Sequence, residues 1–175
     1  VFILPYEASV ITTVERDRLL RDLETILAVS RAMGSERQLD RLLDLICTAV
    51  TDLIQADRTS LFLVDRDRNE LWTTVAQHSG AIRLPMGSGI AGTVAVSGTT
   101  INIPSAYDDP RFSAENDRRS GFTTRSILCM PLVNYSGAVV GVIQALNKRN
   151  GQAFAAYDEQ VLSALCSQAG VAIDN

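Results

Sequence analysis

Hydrophobic residues fall on two different periods along this chain, and the switches between them mark out its elements. From Glu15 to Met33, Leu19, Leu23, Ile26, Ser30 and Met33 alternate at spacings of four and three, the repeat of a helix with a narrow apolar seam. This spacing fits two arrangements equally well. One is a coiled coil with a second copy, its seam interrupted by Ser30; the other is an amphipathic helix packed on its own domain. Gly34-Ser35 ends the segment, and Ser35 or Asp40 offers a cap for the next helix. Leu39, Leu42, Leu43, Ile46, Cys47, Val50, Leu53 and Ile54 then form an i, i+3, i+4 stripe, which predicts a second, core-facing helix.

The period now drops to two. Thr59–Asp65 and Glu70–Ala76 read as strands of a hairpin joined by the charged turn Arg66-Asp67-Arg68-Asn69. Ile82–Leu84 is a short third strand stopped by Pro85. Met86–Gly92 is a glycine-rich turn that opens a short helix running to about Val96. Thr100–Ile103 is another strand, ended by Pro104. Residues 105–124 are long and polar, with one short helix expected after Pro110; a connection of this length in a compact domain usually carries function. Arg125–Val133 and Ala138–Lys148 are the longest strands, joined by Asn134-Tyr135-Ser136-Gly137. Tyr157–Ile173 closes the chain as an amphipathic helix with Leu162, Leu165, Cys166, Ala169 and Ile173 on one face.

Strands joined by hairpin turns imply an antiparallel sheet, so the fold class is α+β, with the flanking helices on one face. The glycine-rich turn and residues 105–124 fall on connections and are free to cover the other face, which makes a pocket under a lid. The expected organisation is a tail or linker over 1–14, a linker helix over 15–34 and one domain over 35–175. The chain starts at Val1 in mid-pattern, and it is expected to be a piece of a longer protein.

Bulk properties narrow the function. The chain has 175 residues, 46% hydrophobic and 21% charged, as in an ordinary globular domain. Sixteen basic against twenty acidic residues give a net charge of −4, with no basic stripe for a nucleic acid. No apolar run approaches the ~18 residues of a membrane span, and no signal peptide is visible. Cys47, Cys129 and Cys166 are widely spaced in apolar stretches and read as reduced core residues, which fits a cytoplasmic setting. No metal site is expected, because His78 is the single histidine and no Cys-x-x-Cys occurs. No catalytic residues are expected either. His78 lies in a polar turn without a G-x-S-x-G partner, and no phosphate loop of the G-x-x-x-x-G-K-[ST] type is present. The carboxylates around Asp108-Asp109 and Glu115–Asp117 have basic neighbours in Arg111, Arg118 and Arg119 and read as a solvated surface.

Binding is better supported than catalysis. Glycines before the helix near Gly89 leave the first-turn N–H groups of Ile90 and Ala91 pointing outward at the positive end of the dipole, a place for an anion. Asn147-Lys148 ends the last strand, Phe154 follows after five residues, and Asp158-Glu159 opens the last helix after three more. This N-K-x5-F-x3-D-E run resembles the signature of the cyclic-nucleotide-binding GAF domains found in phosphodiesterases and cyanobacterial adenylyl cyclases. The resemblance extends over most of residues 24–173. It includes R-T-S-L-F-L-V-D at Arg58–Asp65, G-I-A-G at Gly89–Gly92, N-I-P-x-A-Y at Asn102–Tyr107, S-G-F-x-T-R at Ser120–Arg125 and I-L-C-M-P at Ile127–Pro131.

The resemblance implies a GAF-like sheet with a regulatory ligand under the lid and no enzymatic activity in this segment. It implies phosphate on Ile90 and Ala91, lid contacts from Asp117, Ser120 and Thr124, and base contacts from Arg58, Ser60 and Gln144, with Gln77 near the base. Asn147, Lys148, Phe154, Asp158 and Glu159 are implied to be structural. Gln144 stands where the family often has a glutamate, the aspartate that some guanine-binding relatives carry near Gln77 is absent, and Ser113 replaces an aromatic found on some lids; together these departures favour cAMP over cGMP. Residues 105–124 carry no cysteine or histidine, which sets aside a covalently bound bilin. The implied partners are a cyclic nucleotide, a second copy through the flanking helices, and an attached effector domain. The alternative is a structural dimerisation module without a nucleotide, or a sensor of another small molecule.

Overall fold

The structure, a computed structural model, describes residues 12–73 and 81–175. Helix α1 (Thr13–Ser35) begins two residues earlier than the hydrophobic pattern indicates. Thr12 and Glu15 form a reciprocal cap there, with Thr12 N donating to the Glu15 carboxylate at 2.9 Å and Glu15 N donating to Thr12 Oγ1 at 3.2 Å. Residues 12–14, expected in the tail, are therefore the helix start. Helix α2 (Leu39–Leu53) follows. Its N-cap is Gln38, which makes no side-chain cap, whereas Ser35 is the last residue of α1; the anticipated capping by Ser35 or Asp40 does not occur. The stripe buries Leu42, Leu43, Ile46, Cys47 and Val50, but Leu39, the first residue of the helix, stays 41% exposed.

Among the described residues six strands form one antiparallel sheet in the order β3-β2-β1-β6-β5-β4. They are β1 (Ala56–Asp65), β2 (Glu70–Thr73), β3 (Ile82–Pro85), β4 (Ile101–Ile103), β5 (Ile127–Val133) and β6 (Val139–Lys148). β2 is described as far as Thr73, and the rest of the stretch expected as strand, with Gln77 and His78, lies outside the described residues. Pro85 does not stop β3 but ends it in register with Glu70, a position that an edge strand tolerates. Helix α3 (Gly89–Ser97) stands between β3 and β4, and the short α4 (Glu115–Ser120) between β4 and β5. A single 3-10 turn at Ala106–Asp108 precedes α4, so the lid holds two short helical pieces instead of one. Helix α5 (Ala156–Asp174) ends the chain.

Strand alternation divides the core in two. Leu61, Leu63, Leu128, Leu132, Ile143 and Ala145 face α2 and α5, and the end of α1 adds Met33 with Ile26 and Val29. Phe62, Ile127, Cys129 and Val142 face the other way, onto α3 and the base of the lid. Gly170 allows the close approach this layering needs, since a Cβ there would lie 2.2 Å from Val133 O, and Gly141 allows a close approach within the sheet, where a Cβ would lie 2.5 Å from Phe62 O of the neighbouring strand. All three cysteines are buried free thiols. Burial pushes the Cys47 thiol up to about 12 and raises Cys129 and Cys166 as well, so none is a reactive thiolate. Among the described residues no helix is long and apolar enough to cross a membrane.

Candidate functional site

A cavity of about 640 Å³ lies between the α3 face of the sheet and the lid, within the ~300–1,000 Å³ of small-molecule sites. β3 supplies one wall through Ile82 and Leu84. Ile127, Gln144 and Leu146 form the floor, the start of α3 closes one end, and Pro110, Phe112, Asn116 and Asp117 form the roof. The floor follows from strand period and register: Gln144 and Leu146 point the same way, and Ile127 stands opposite Leu146 on β5.

Ile90 and Ala91 are buried and line the closed end. The N-cap residue Ser88 makes no side-chain bond to the first turn of α3, so the first N–H groups retain the positive end of the helix without a side-chain acceptor. Gly92 is fixed by packing, since a Cβ there would meet Gly87 N at 2.9 Å and Pro85 O at 3.0 Å. The turn folds back on the helix it opens, and Gly87 N donates to Gly92 O at 3.0 Å.

Asp117 and Thr124 line the cavity together and hold each other. Thr124 N donates to Asp117 Oδ2 at 2.7 Å, Thr124 Oγ1 to Oδ1 at 2.8 Å, and Tyr107 Oη to Oδ2 at 2.8 Å. The sequence reading of Glu115–Asp117 as a solvated surface is thus corrected for Asp117, which is 8% exposed; its charge is tolerated because three donors meet it. The acceptor at Asp117 also raises the Tyr107 phenol above its ordinary pKa. Ser120 does not line the cavity. It is exposed at the end of α4, donating to Asn116 O at 2.8 Å.

Arg58 and Ser60 lie on the cavity face of β1, opposite Leu146 and Gln144 of β6. Neither lines the cavity: the Arg58 guanidinium lies 3.8 Å from the centroid of the Phe122 ring, a cation–π contact that fastens the lid's outgoing arm to β1. Three arginines rim the opening and all are paired. Arg83 contacts Glu70 at 3.1 Å and Asp65 at 3.5 Å, Arg111 contacts Asp109 at 2.7 Å, and Arg119 pairs with Glu115. The Arg111 guanidinium and backbone N–H hold the Asp109 carboxyl down at about 2.

The residues around Lys148 fix the sheet's end. Asn147 has φ +60, which breaks the alternation. Lys148 therefore leaves the face of Gln144 and Leu146 and reaches the helix side, where its Nζ donates to Asp158 Oδ1 at 2.8 Å and Ile54 O at 2.7 Å. Asp158 Oδ2 accepts from Ala155 N at 2.8 Å and caps α5. Asn147 Oδ1 accepts from Arg125 N at 2.6 Å, and its Nδ2 donates to Thr123 O at 2.9 Å. Phe154 is buried in the helix-side core, and its carbonyl accepts from Asn102 Nδ2 at 2.9 Å. Glu159 is half-buried, and its N–H donates to Ala155 O at 3.2 Å in the first turn.

Sequence reasoning passed over Ile82, Leu84, Phe112 and Leu146 as site residues. Leu146 was within reach, two residues from Gln144 on one strand; the others are brought in by how β3 and the lid lie across the sheet. A second groove, larger at about 850 Å³, runs between the end of α1, the start of α2 and the end of α5, and holds none of the candidate ligand residues. Among the described residues no cluster of histidine, cysteine, aspartate or glutamate has the arrangement of a metal site.

The GAF domain profile matches residues 38–173. The chain is 39% identical over 166 residues to the dual 3',5'-cyclic-AMP and -GMP phosphodiesterase 11A of Takifugu rubripes, a match covering 87% of this chain and 18% of that protein. It is 36% identical over 174 residues to the dual phosphodiesterase 11 of Drosophila melanogaster, covering 89% of this chain and 12% of that protein. The chain thus spans less than a fifth of the length of these curated relatives. Among solved structures, the GAF domain of a phosphoenolpyruvate-protein phosphotransferase from Acinetobacter superposes with a TM-score of 0.73 at 24% identity, over 88% of this chain and 93% of that one. The corresponding domain from Coxiella burnetii gives 0.76 at 19% identity, over 86% and 91%. At these identities the likeness is one of fold, and together with the profile match it establishes that this chain belongs to the GAF domain family.

Proposed function

We propose that this GAF domain is a regulatory module, without catalysis of its own, that binds a 3',5'-cyclic nucleotide in the lidded cavity and passes the lid's state to an attached effector domain. The observation that carries the reading is the cavity itself. One closed end presents the uncapped start of α3 at Ile90-Ala91, suited to a cyclic phosphate. The floor presents Gln144 beside Leu146 and Ile127, suited to a purine edge on an apolar bed. Gln144 both donates and accepts, so it serves adenine without the carboxylate that guanine favours; cAMP is the preferred ligand and cGMP the second. In the bound state Arg58 and Ser60 reach the base only if the Phe122 stack opens, and Ser120 only if the lid turns.

The two phosphodiesterases named above are much longer than this chain, which supports an effector outside it. Cytoplasmic placement accords with three buried free cysteines. A homodimer is supported by α1, where Leu20, Leu23 and Leu27 are 51%, 47% and 57% exposed at spacings of three and four. This seam is shifted from the one expected: Ile26 and Met33 pack on the domain instead.

Isothermal calorimetry against cAMP and cGMP, with thermal unfolding beside it, tests the reading. At ligand near 100 times Kd the gain is about 2.7 kcal/mol, a Tm rise of roughly 5–10 °C for a chain of this size. No heat and no shift with either nucleotide at millimolar concentration would leave the domain as a dimerisation module or a sensor of another small molecule.

A further inference from the structure

The lid and α1 lie on opposite faces of the sheet, yet hydrogen bonds and chain neighbours connect them without a gap. Asp117 holds Thr124. The arm carrying Thr124 is gripped on its other side by Asn147, through Thr123 O at 2.9 Å and Arg125 N at 2.6 Å. The next residue, Lys148, donates from its backbone to Ser126 Oγ at 3.1 Å and from Nζ to Asp158 at 2.8 Å. Asp158 adjoins Tyr157, whose hydroxyl donates to Asp22 in α1. Arg18 lies 4.9 Å from the centroid of the same ring and 3.9 Å from the Asp22 carboxylate.

The α1 end of this run is weakly held. Leu19, Leu20 and Leu23 around Asp22 are 39%, 51% and 47% exposed, and the apolar anchors Ile26, Val29 and Met33 lie further along the helix. A helix half with little buried apolar surface opens at low cost, so polar contacts at Tyr157 decide whether it is docked. Tyr157 and Asp158 share the first turn of α5, one reaching outward to α1 and the other inward to Lys148.

We propose that this run couples the two ends, so that docking of the N-terminal half of α1 through Tyr157 and Asp22 favours the closed lid, and undocking releases it. The coupling rests on the proposed reading of the lidded cavity as the ligand site, and gives that site its regulation. By linkage the effect is reciprocal.

Amide hydrogen exchange on the whole unliganded chain tests it without any nucleotide. Tyr157→Phe keeps the ring and removes the donor. Exchange then rises about fivefold over residues 117–126 as well as in the first half of α1, a factor at the low end of measured couplings, while β1 and β6 stay protected. Asp117→Asn produces the reciprocal rise in α1. A rise confined to α1 and α5, or one spread evenly through the core strands, overturns the coupling. Calorimetry adds a second arm: cAMP affinity falls by the same factor in Tyr157→Phe, and an unchanged Kd again overturns it. Wild-type protein that binds no cyclic nucleotide overturns the ligand assignment alone, and the exchange comparison still decides the coupling.

Discussion

Thr124 closes on both oxygens of the Asp117 carboxylate, its amide on Oδ2 at 2.7 Å and its hydroxyl on Oδ1 at 2.8 Å. With Tyr107 Oη as third donor, Asp117 is fully engaged inside the protein and acts as the strut of the lid. Removing one donor leaves the others in place. Thr124→Val is therefore expected to cost about 1–2 kcal/mol of lid order and to weaken cyclic-nucleotide binding about tenfold. Calorimetry measures the affinity, and circular dichroism checks that the fold persists. An affinity equal to wild type would remove the strut from the binding account.

Lys148 and Asp158 form a buried pair, 7% and 2% exposed. Breaking it by Lys148→Met leaves a carboxylate in the core without its cation, which costs about 3–5 kcal/mol. The double variant Lys148→Met, Asp158→Leu removes the stranded charge and is expected to recover more than ~1 kcal/mol of that loss, short of wild type because Ala155 N loses its cap. Urea denaturation of the three proteins decides it: a double variant less stable than the single would show that the pair is held for more than charge balance.

Gly170 tests the layering of α5 on β5. A Cβ there would lie 2.2 Å from Val133 O and 2.7 Å from Val133 C and N, all backbone. Backbone cannot rotate away as a side chain does, so Gly170→Ala must push the helix off the strand. The expected cost is about 3 kcal/mol, the upper end of overpacking, which corresponds to a fall in Tm of roughly 6–12 °C. Scanning calorimetry gives the answer, with Gly34→Ala as the control, since a Cβ at Gly34 meets nothing within 4 Å.

The Asp109–Arg111 clamp at the cavity rim is pH-dependent in a definite direction. Arg111 holds the Asp109 carboxyl at about 2, below the ordinary aspartate value of 3.8. The clamp's contribution is thus complete above the unfolded value and is lost as pH falls from near 4 through about 2. Carboxyl carbon NMR should place the Asp109 titration near 2 in wild type and return it toward 3.8 in Arg111→Ala. A titration near 3.8 in both proteins would show that the clamp does not form in solution.

Periodicity located α1, α2, α5 and the long strands β1, β5 and β6 to within a few residues, because burial on one side of an element imposes its repeat on the sequence, whereas the lid's two short helical pieces carry no such repeat. It also placed Gln144 on the last strand and glycines before α3, since those features are local. The sheet order, with β6 between β1 and β5, and the pairing of Gln144 with Ser60 are products of strand register, to which one strand's pattern is blind. The N-K-x5-F-x3-D-E run marked Lys148 and Asp158 as structural residues, and the structure makes them partners. Lys148 reaches Asp158 where Asn147 adopts φ +60, a conformation that asparagine takes more readily than most residues and that occurs here beside its bonds to the lid arm.

The lid was the least legible part. Its polar composition concealed a buried carboxylate, because burial of a charge is decided by which donors the folded chain brings to it, and here they come from Tyr107 and Thr124 on either side of α4. In α1 the heptad spacing was present in the sequence, but several overlapping seams satisfy it. Packing against α2 and α5 selected Ile26 and Met33 for the interior and left Leu20, Leu23 and Leu27 outside. The sequence by itself determined which segments are amphipathic; only tertiary contact decided which side of each one is covered.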